Sequence, residues 1–166
     1  CANVRGISYP EITAMQARTT FESASNVHAA GIAVKVKIMV TLVGAVREFN
    51  AQAEVIRRIA ATVFAERGKS FDYMLGTMIE TARAALIADS IGKQAAFFSF
   101  GTNDLTQMTL EFSRDDAGKF LPDYLKKGFC DHDPFRSFDQ EGVGLLVQMA
   151  VPLHQSPSST ALVWTT

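Results

Sequence analysis

The sequence is short of cysteine, of net charge and of long apolar runs, and each shortage removes a class of function. It has two cysteines, Cys1 and Cys130, in 166 residues. Neither sits at metal-ligand spacing or in a redox motif, and a core of this size needs no disulfide. Sixteen basic residues face 17 acidic ones, for a formal net charge of −1. No basic patch interleaved with aromatics appears, so neither nucleic acid nor a membrane surface is an expected partner. The most apolar region, Gly31 to Val46, is interrupted by Lys35 and Lys37, which makes it a buried strand rather than a membrane span. No basic-then-apolar leader opens the chain, so the expectation is a soluble protein that is not secreted. The first residue is Cys1 rather than Met, in mid-pattern, as expected of a piece of something longer. What is present is ordinary: 48% hydrophobic and 20% charged residues, enough for one globular domain.

The order of elements indicates the fold class. Ser8-Tyr9-Pro10-Glu11 has the features of a helix start, with Ser8 as cap, Pro10 in the first turn and Glu11 completing a capping box. Ile12, Met15, Phe21, Ala24 and His28 recur at helical spacing until Gly31. Lys37 to Val43 is an expected buried strand closed by Gly44, and Arg47 to Glu66 an expected helix stopped by Gly68. Asp72 to Ile79 is the next strand, Ala82 to Gln94 a helix of small apolar residues, and Ala96 to Phe100 a third strand. This α-β-α-β-α-β order is the pattern of parallel βαβ units. Leu105 to Phe112 begins another helix. Ser113 to Pro134 is a charged, Gly/Pro-punctuated excursion with short helical pieces, and Asp139 to Ala150 a last helix. Residues 1–150 form one expected unit, and 151–166 a divergent Ser/Pro-rich tail.

Two acidic residues stand where expected strands end: Glu80 after MLGTMI, and Asp104 after FFSFGTN. Neighbouring parallel strands lie about 4.8 Å apart and open on one face, so their terminal carboxylates can converge on one cation. Two hard oxygen ligands with open positions suit Mg²⁺, which takes its remaining ligands from water and substrate oxygens. Gly101 allows close backbone approach, and Thr102 and Asn103 can offer N–H groups to an anion. The plain alternative is that each carboxylate only caps the following helix. Spacing does not separate the two readings.

The letters themselves go further. GTMIE followed by SFGTNDLTQMT resembles the phosphoenolpyruvate-utilising enzymes. FSRDDAGKFL, with ISYPEITAMQAR before it and DPF..FDQEGVG after it, is similar to the pyruvate phosphate dikinases within that family. The likeness runs from about Gly6 to Ala150. It implies an α/β fold, part of a (βα)8 TIM-type barrel, with about three parallel strands and flanking helices. It implies Mg²⁺ as cofactor, held by Glu80 and Asp104, and a loop at Gly101, Thr102, Asn103 and Asp104 that contacts the phosphate and carboxylate of pyruvate or phosphoenolpyruvate. The implied partners are the remaining domains of a full-length enzyme and further copies of itself, in cytoplasm or plastid stroma. The implied reaction converts ATP, phosphate and pyruvate into AMP, diphosphate and phosphoenolpyruvate. The barrel's share of it is phosphoryl transfer between a phosphohistidine and pyruvate.

Departures from the family pattern are specific. The family's catalytic cysteine lies in a GICGEHGG-like strand expected some fifteen residues past Ala150, where Leu153 to Thr166 has no cysteine. Cys1 and Cys130 match no such motif, and His28, His132 and His154 match no phosphohistidine motif. No catalytic residue is therefore assigned, and the upstream arginines that bind phosphate in the family have no counterpart. Thr41 and Ala82 stand where the family usually has Pro, and Glu111 where it has Gly. The expectation is a dikinase fragment that is inactive alone. The alternative is a non-catalytic product, acting as a decoy or an oligomerisation fragment through exposed strand edges.

Overall fold

Alternation of apolar strands with amphipathic helices yields a mixed α/β architecture around one parallel sheet. A computed structural model of the chain describes residues 2–153; the expected tail lies, from residue 154 onward, outside the described residues. Helices α1 (Ala2–Ser8) and α2 (Pro10–Ala29) precede strand β1 (Val36–Val40). Helix α3 (Val46–Arg67) leads to β2 (Tyr73–Ile79), and α4 (Ala82–Leu86) and α5 (Ala88–Gly92) lead to β3 (Phe98–Phe100). Then come α6 (Thr102–Leu110), α7 (Arg114–Lys126) and α8 (Val143–Leu153). The strand order is β1-β2-β3, all parallel, with Val36 opposite Tyr73 and Thr77 opposite Phe98.

Period-2 alternation gives the sheet two unlike faces. Ile38, Val40, Tyr73, Leu75, Ile79, Phe98 and Phe100 join the main core with residues of α2, α3, α4, α5 and α8. Phe49, Ala53, Ile56 and Ala60 line the buried side of α3, and Gly68 ends that helix at φ +66, a conformation glycine adopts without strain. Lys37, Met39, Met74, Gly76, Met78 and Ser99 fall on the other face by parity. Glu80 and Gly101 continue that second face past the strand ends.

Several boundaries differ from expectation. Helix α2 does begin at Pro10, but Tyr9 is its N-cap and no side chain caps it, because Ser8 belongs to α1. Strand β1 stops at Val40, three residues short of Val43, and is half-buried rather than buried. Among the described residues it has one strand neighbour, so Lys37 and Met39 stay exposed on its uncovered face. The expected helix over 82–94 is broken at Ile87, whose φ −113 and ψ 23 leave helical geometry. Both halves pack on α8, and that packing outweighs the propensity of an alanine-rich run to stay straight. Within the expected excursion α7 is one 13-residue helix. Gly118 and Pro122 read as breakers, yet both lie inside this helix. Asp115 and Asp116 in the first turn and Lys126 in the last suit the helix dipole.

Candidate metal and substrate site

The C-terminal ends of all three strands open at one edge of the sheet, and each contributes to one site. After β1 the chain turns sharply through Leu42, at φ +54. This left-handed conformation is costly for a branched side chain. It aims the Leu42 N–H at Glu80, whose Oε1 accepts at 2.5 Å. The same β1–α3 turn is held by Glu48, whose Oε2 accepts from Gly44 N at 2.7 Å and Ala45 N at 3.0 Å. Ala45, the N-cap of α3, has no side-chain acceptor, so Glu48 supplies that end of the helix from inside. Arg83 donates to the Gly44 carbonyl and ties the turn to α4.

Glu80 follows β2 directly and is 3% exposed. It does not cap α4. Thr81 does, accepting from Ala84 N at 3.2 Å, so the plain capping alternative fails for Glu80. Burial lifts the Glu80 carboxyl from its ordinary 4.5 to about 7. The Leu42 N–H opposes that rise, and the hydrogen-bonding and charge of neighbouring Asp104 add to it. Gly101 makes the approach possible. A Cβ there would lie 2.8 Å from both Glu80 Cβ and Oε2 and 2.7 Å from Met78 Sδ.

Thr102, Asn103 and Asp104 are not a loop, as the sequence implied, but the first turn of α6. Gly101 is its N-cap, with φ −87 and ψ 81, and Leu105 N donates to its carbonyl at 3.0 Å. This turn lies at the positive end of the helix dipole. Asp104 accepts from Gln107 Nε2 at 3.1 Å, and Asn103 Oδ1 accepts from Arg114 Nη1 at 3.0 Å. Thr102, Asn103 and Thr106 also line a cavity of about 400 Å³, together with Phe135, Arg136 and Phe138. The structure thus brings Glu80, Gly101 and Asp104 together, with Thr102 and Asn103 beside them. Cys130 is a half-buried free thiol in the segment after α7, and His28 lies on α2 beside the Phe71 ring.

A pair of facing carboxyl groups, one of them buried, is short of positive charge. Among the described residues no third His, Cys, Asp or Glu joins them in a metal-sized cluster. Two hard oxygen donors with the other positions left to water and substrate match Mg²⁺ and mismatch the four-ligand cages of structural zinc. Sequence reasoning found both carboxylates but missed Leu42, Gln107 and Arg114. Leu42 acts through its backbone, which carries no side-chain signal. Gln107 could have been found from its position one turn after Asp104 on the same helix face.

Comparison with known proteins settles the family. The family model described as "PEP-utilising enzyme, PEP-binding domain" matches residues 2–156. The chain belongs to that family. It is 60% identical to pyruvate, phosphate dikinase 1, chloroplastic, of Arabidopsis thaliana over 145 residues, covering 87% of this chain and 15% of that protein. It is 58% identical to the chloroplastic dikinase of Flaveria pringlei, over 87% of this chain and 15% of that protein. Against pyruvate, phosphate dikinase 2 of Zea mays it is 57% identical, over 87% of this chain and 16% of that protein. The chain therefore spans about one-sixth or less of the length of these relatives. No helix among the described residues is long and apolar enough to cross a membrane.

Proposed function

We propose that this chain is part of the phosphoenolpyruvate/pyruvate-binding barrel of a pyruvate phosphate dikinase, with Glu80 and Asp104 as ligands of Mg²⁺. The observation that carries the reading is the convergence of Glu80, buried and raised to about 7, on Asp104 at the strand ends. In this reading the three-stranded sheet is a segment of a (βα)8 barrel. A groove of about 890 Å³ along the β1 edge, lined by Thr13, Gln16, Lys37 and Met39 among others, leaves room for a further strand.

The roles follow from position. Glu80 and Asp104 supply the two fixed negative oxygens, and Leu42 N–H keeps Glu80 in place. Mg²⁺ bound there supplies positive charge to substrate oxygens. The first turn of α6 presents N–H donors from Thr102, Asn103 and Asp104 to the substrate's phosphate or carboxylate. Gly101 permits a close approach by having no side chain. Phosphoryl transfer between phosphohistidine and pyruvate further requires an acid/base cysteine and phosphate-binding arginines, as the family resemblance implies. These 166 residues contain neither in a matching motif, so this polypeptide by itself does not turn over. A plastid or cytoplasmic setting and pairing with the remaining domains belong to the same reading.

The test is calorimetric titration of Mg²⁺ into the chain. Measurable binding is expected, with Glu80→Gln and Asp104→Asn each weakening it by more than the roughly 10–100-fold that loss of an outer-sphere partner costs. Unchanged affinity in either variant removes the metal assignment. Dikinase turnover by the purified polypeptide would sink the claim that it does not turn over by itself.

A further inference from the structure

The side-chain amide of Gln107 is gripped at both ends. Its Nε2 donates to Asp104 Oδ1 at 3.1 Å, and its Oε1 accepts from the backbone N–H of Arg114 at 2.9 Å. A backbone N–H can only donate, so it decides which end of the amide is oxygen. The other end must then present N–H to Asp104.

The Arg114 N–H reaches Gln107 because of the corner between α6 and α7. Glu111 is the C-cap of α6, at φ +57, and reverses the chain. Phe112 N then donates to the Gln107 carbonyl at 3.1 Å. The Phe112 ring packs on Phe120 and Tyr124, with centroids 4.9 and 5.8 Å away. Those contacts seat the start of α7 beside the second turn of α6. From there the Arg114 guanidinium reaches Asn103 Oδ1. One corner therefore holds two successive residues of the candidate site, Asn103 and Asp104, through two separate hydrogen bonds.

We propose that Gln107 is a positioning residue of the metal site, acting through Asp104: locked by the Arg114 backbone, its amide holds the Asp104 carboxylate in the orientation that pairs it with Glu80 on a divalent cation. The inference rests on the reading of Glu80 and Asp104 as cation ligands. Its physical basis is that an anchored donor removes the rotational freedom a short carboxylate otherwise keeps.

The test uses Mn²⁺ as probe on the full chain, with free and bound metal read by electron paramagnetic resonance. Gln107→Met keeps the length of the side chain and removes both hydrogen bonds. It is expected to weaken Mn²⁺ binding about 10–100-fold and to alter the line width of the bound Mn²⁺ signal. The metal-free melting curve should stay close to that of the unaltered chain. In the Asp104→Asn background the same change should cost no further affinity, since the residue through which it acts is gone. Unchanged Mn²⁺ affinity and line width in Gln107→Met overturn the proposal while leaving the parent reading intact. Loss of the metal-free fold in Gln107→Met also overturns it, because the role is then structural. No Mn²⁺ binding by the unaltered chain, or binding indifferent to Glu80→Gln and Asp104→Asn, fails the parent reading and this one with it.

Discussion

Where its strands begin, the sheet is closed by rings: Phe21 lies edge-on to Phe64 and Tyr73 at 5.6 and 4.9 Å, and Phe64 to Phe71 at 4.9 Å. Where its strands finish, it carries a buried carboxylate, a glycine with no room for a Cβ, and a left-handed leucine. The first end is made of groups that gain by leaving water. The second is made of groups that lose by it, held there by Leu42 N–H, Gln107 and the first turn of α6. The contrast separates stability from chemistry along one strand direction, as expected of parallel α/β folds. Each end can therefore be altered with little effect on the other.

The largest effect should come from the ring end. Phe21 is fully buried, and Phe21→Ala is expected to cost about 3–5 kcal/mol of unfolding free energy. In denaturant titrations the folded fraction should keep its Mg²⁺ affinity. A parallel loss of affinity would mean the two ends are coupled. Gly101→Ala attacks the other end. Its new Cβ has no space beside Glu80 and Met78, so about 1–3 kcal/mol of overpacking cost is expected, together with loss of Mg²⁺ binding. A variant that binds Mg²⁺ as before would show that the glycine is not what lets Glu80 approach.

Titration should mark the carboxylate end as well. The folded Glu80 binds its proton more tightly than the unfolded chain does, because its pKa is raised from 4.5 to about 7. That contribution to metal-free stability is full below pH 4.5 and is lost as pH climbs through about 7. Urea midpoints measured without metal should fall across this window in the unaltered chain and lose that component in Glu80→Gln. The smallest effects concern backbone fit. Glu111 occupies a left-handed position, and Ala82 is the first residue of α4, a place proline suits. Glu111→Gly and Ala82→Pro should each raise stability by about 0.5–1 kcal/mol, read from thermal melts. A loss instead would mean that the Glu111 side chain or the Ala82 N–H is used.

Much of the fold was legible because it depends on local periodicity. The α3 boundaries, the Gly68 stop, the start of α2 at Pro10 and the three strands in βαβ order all follow from apolar spacing and punctuation. The misreadings fall where a distant partner decides. Strand β1 ends early because the chain must turn at Leu42 to reach Glu80, 38 residues away. The 82–94 helix breaks where α8 packs against it. The trio after Gly101, a loop by the family resemblance, opens α6.

Glu80 and Asp104 were visible as carboxylates after apolar runs, and their surrounding letters identified the family. Local order of this kind is written residue by residue: strand, helix, cap and acidic strand end. The packing of β2 between β1 and β3 decided that the two carboxylates meet, that one is buried and short of charge, and that the Leu42 N–H holds it. Those facts depend on desolvation and on hydrogen bonds between residues far apart in the chain or carried by the backbone, which leave no pattern in a single sequence.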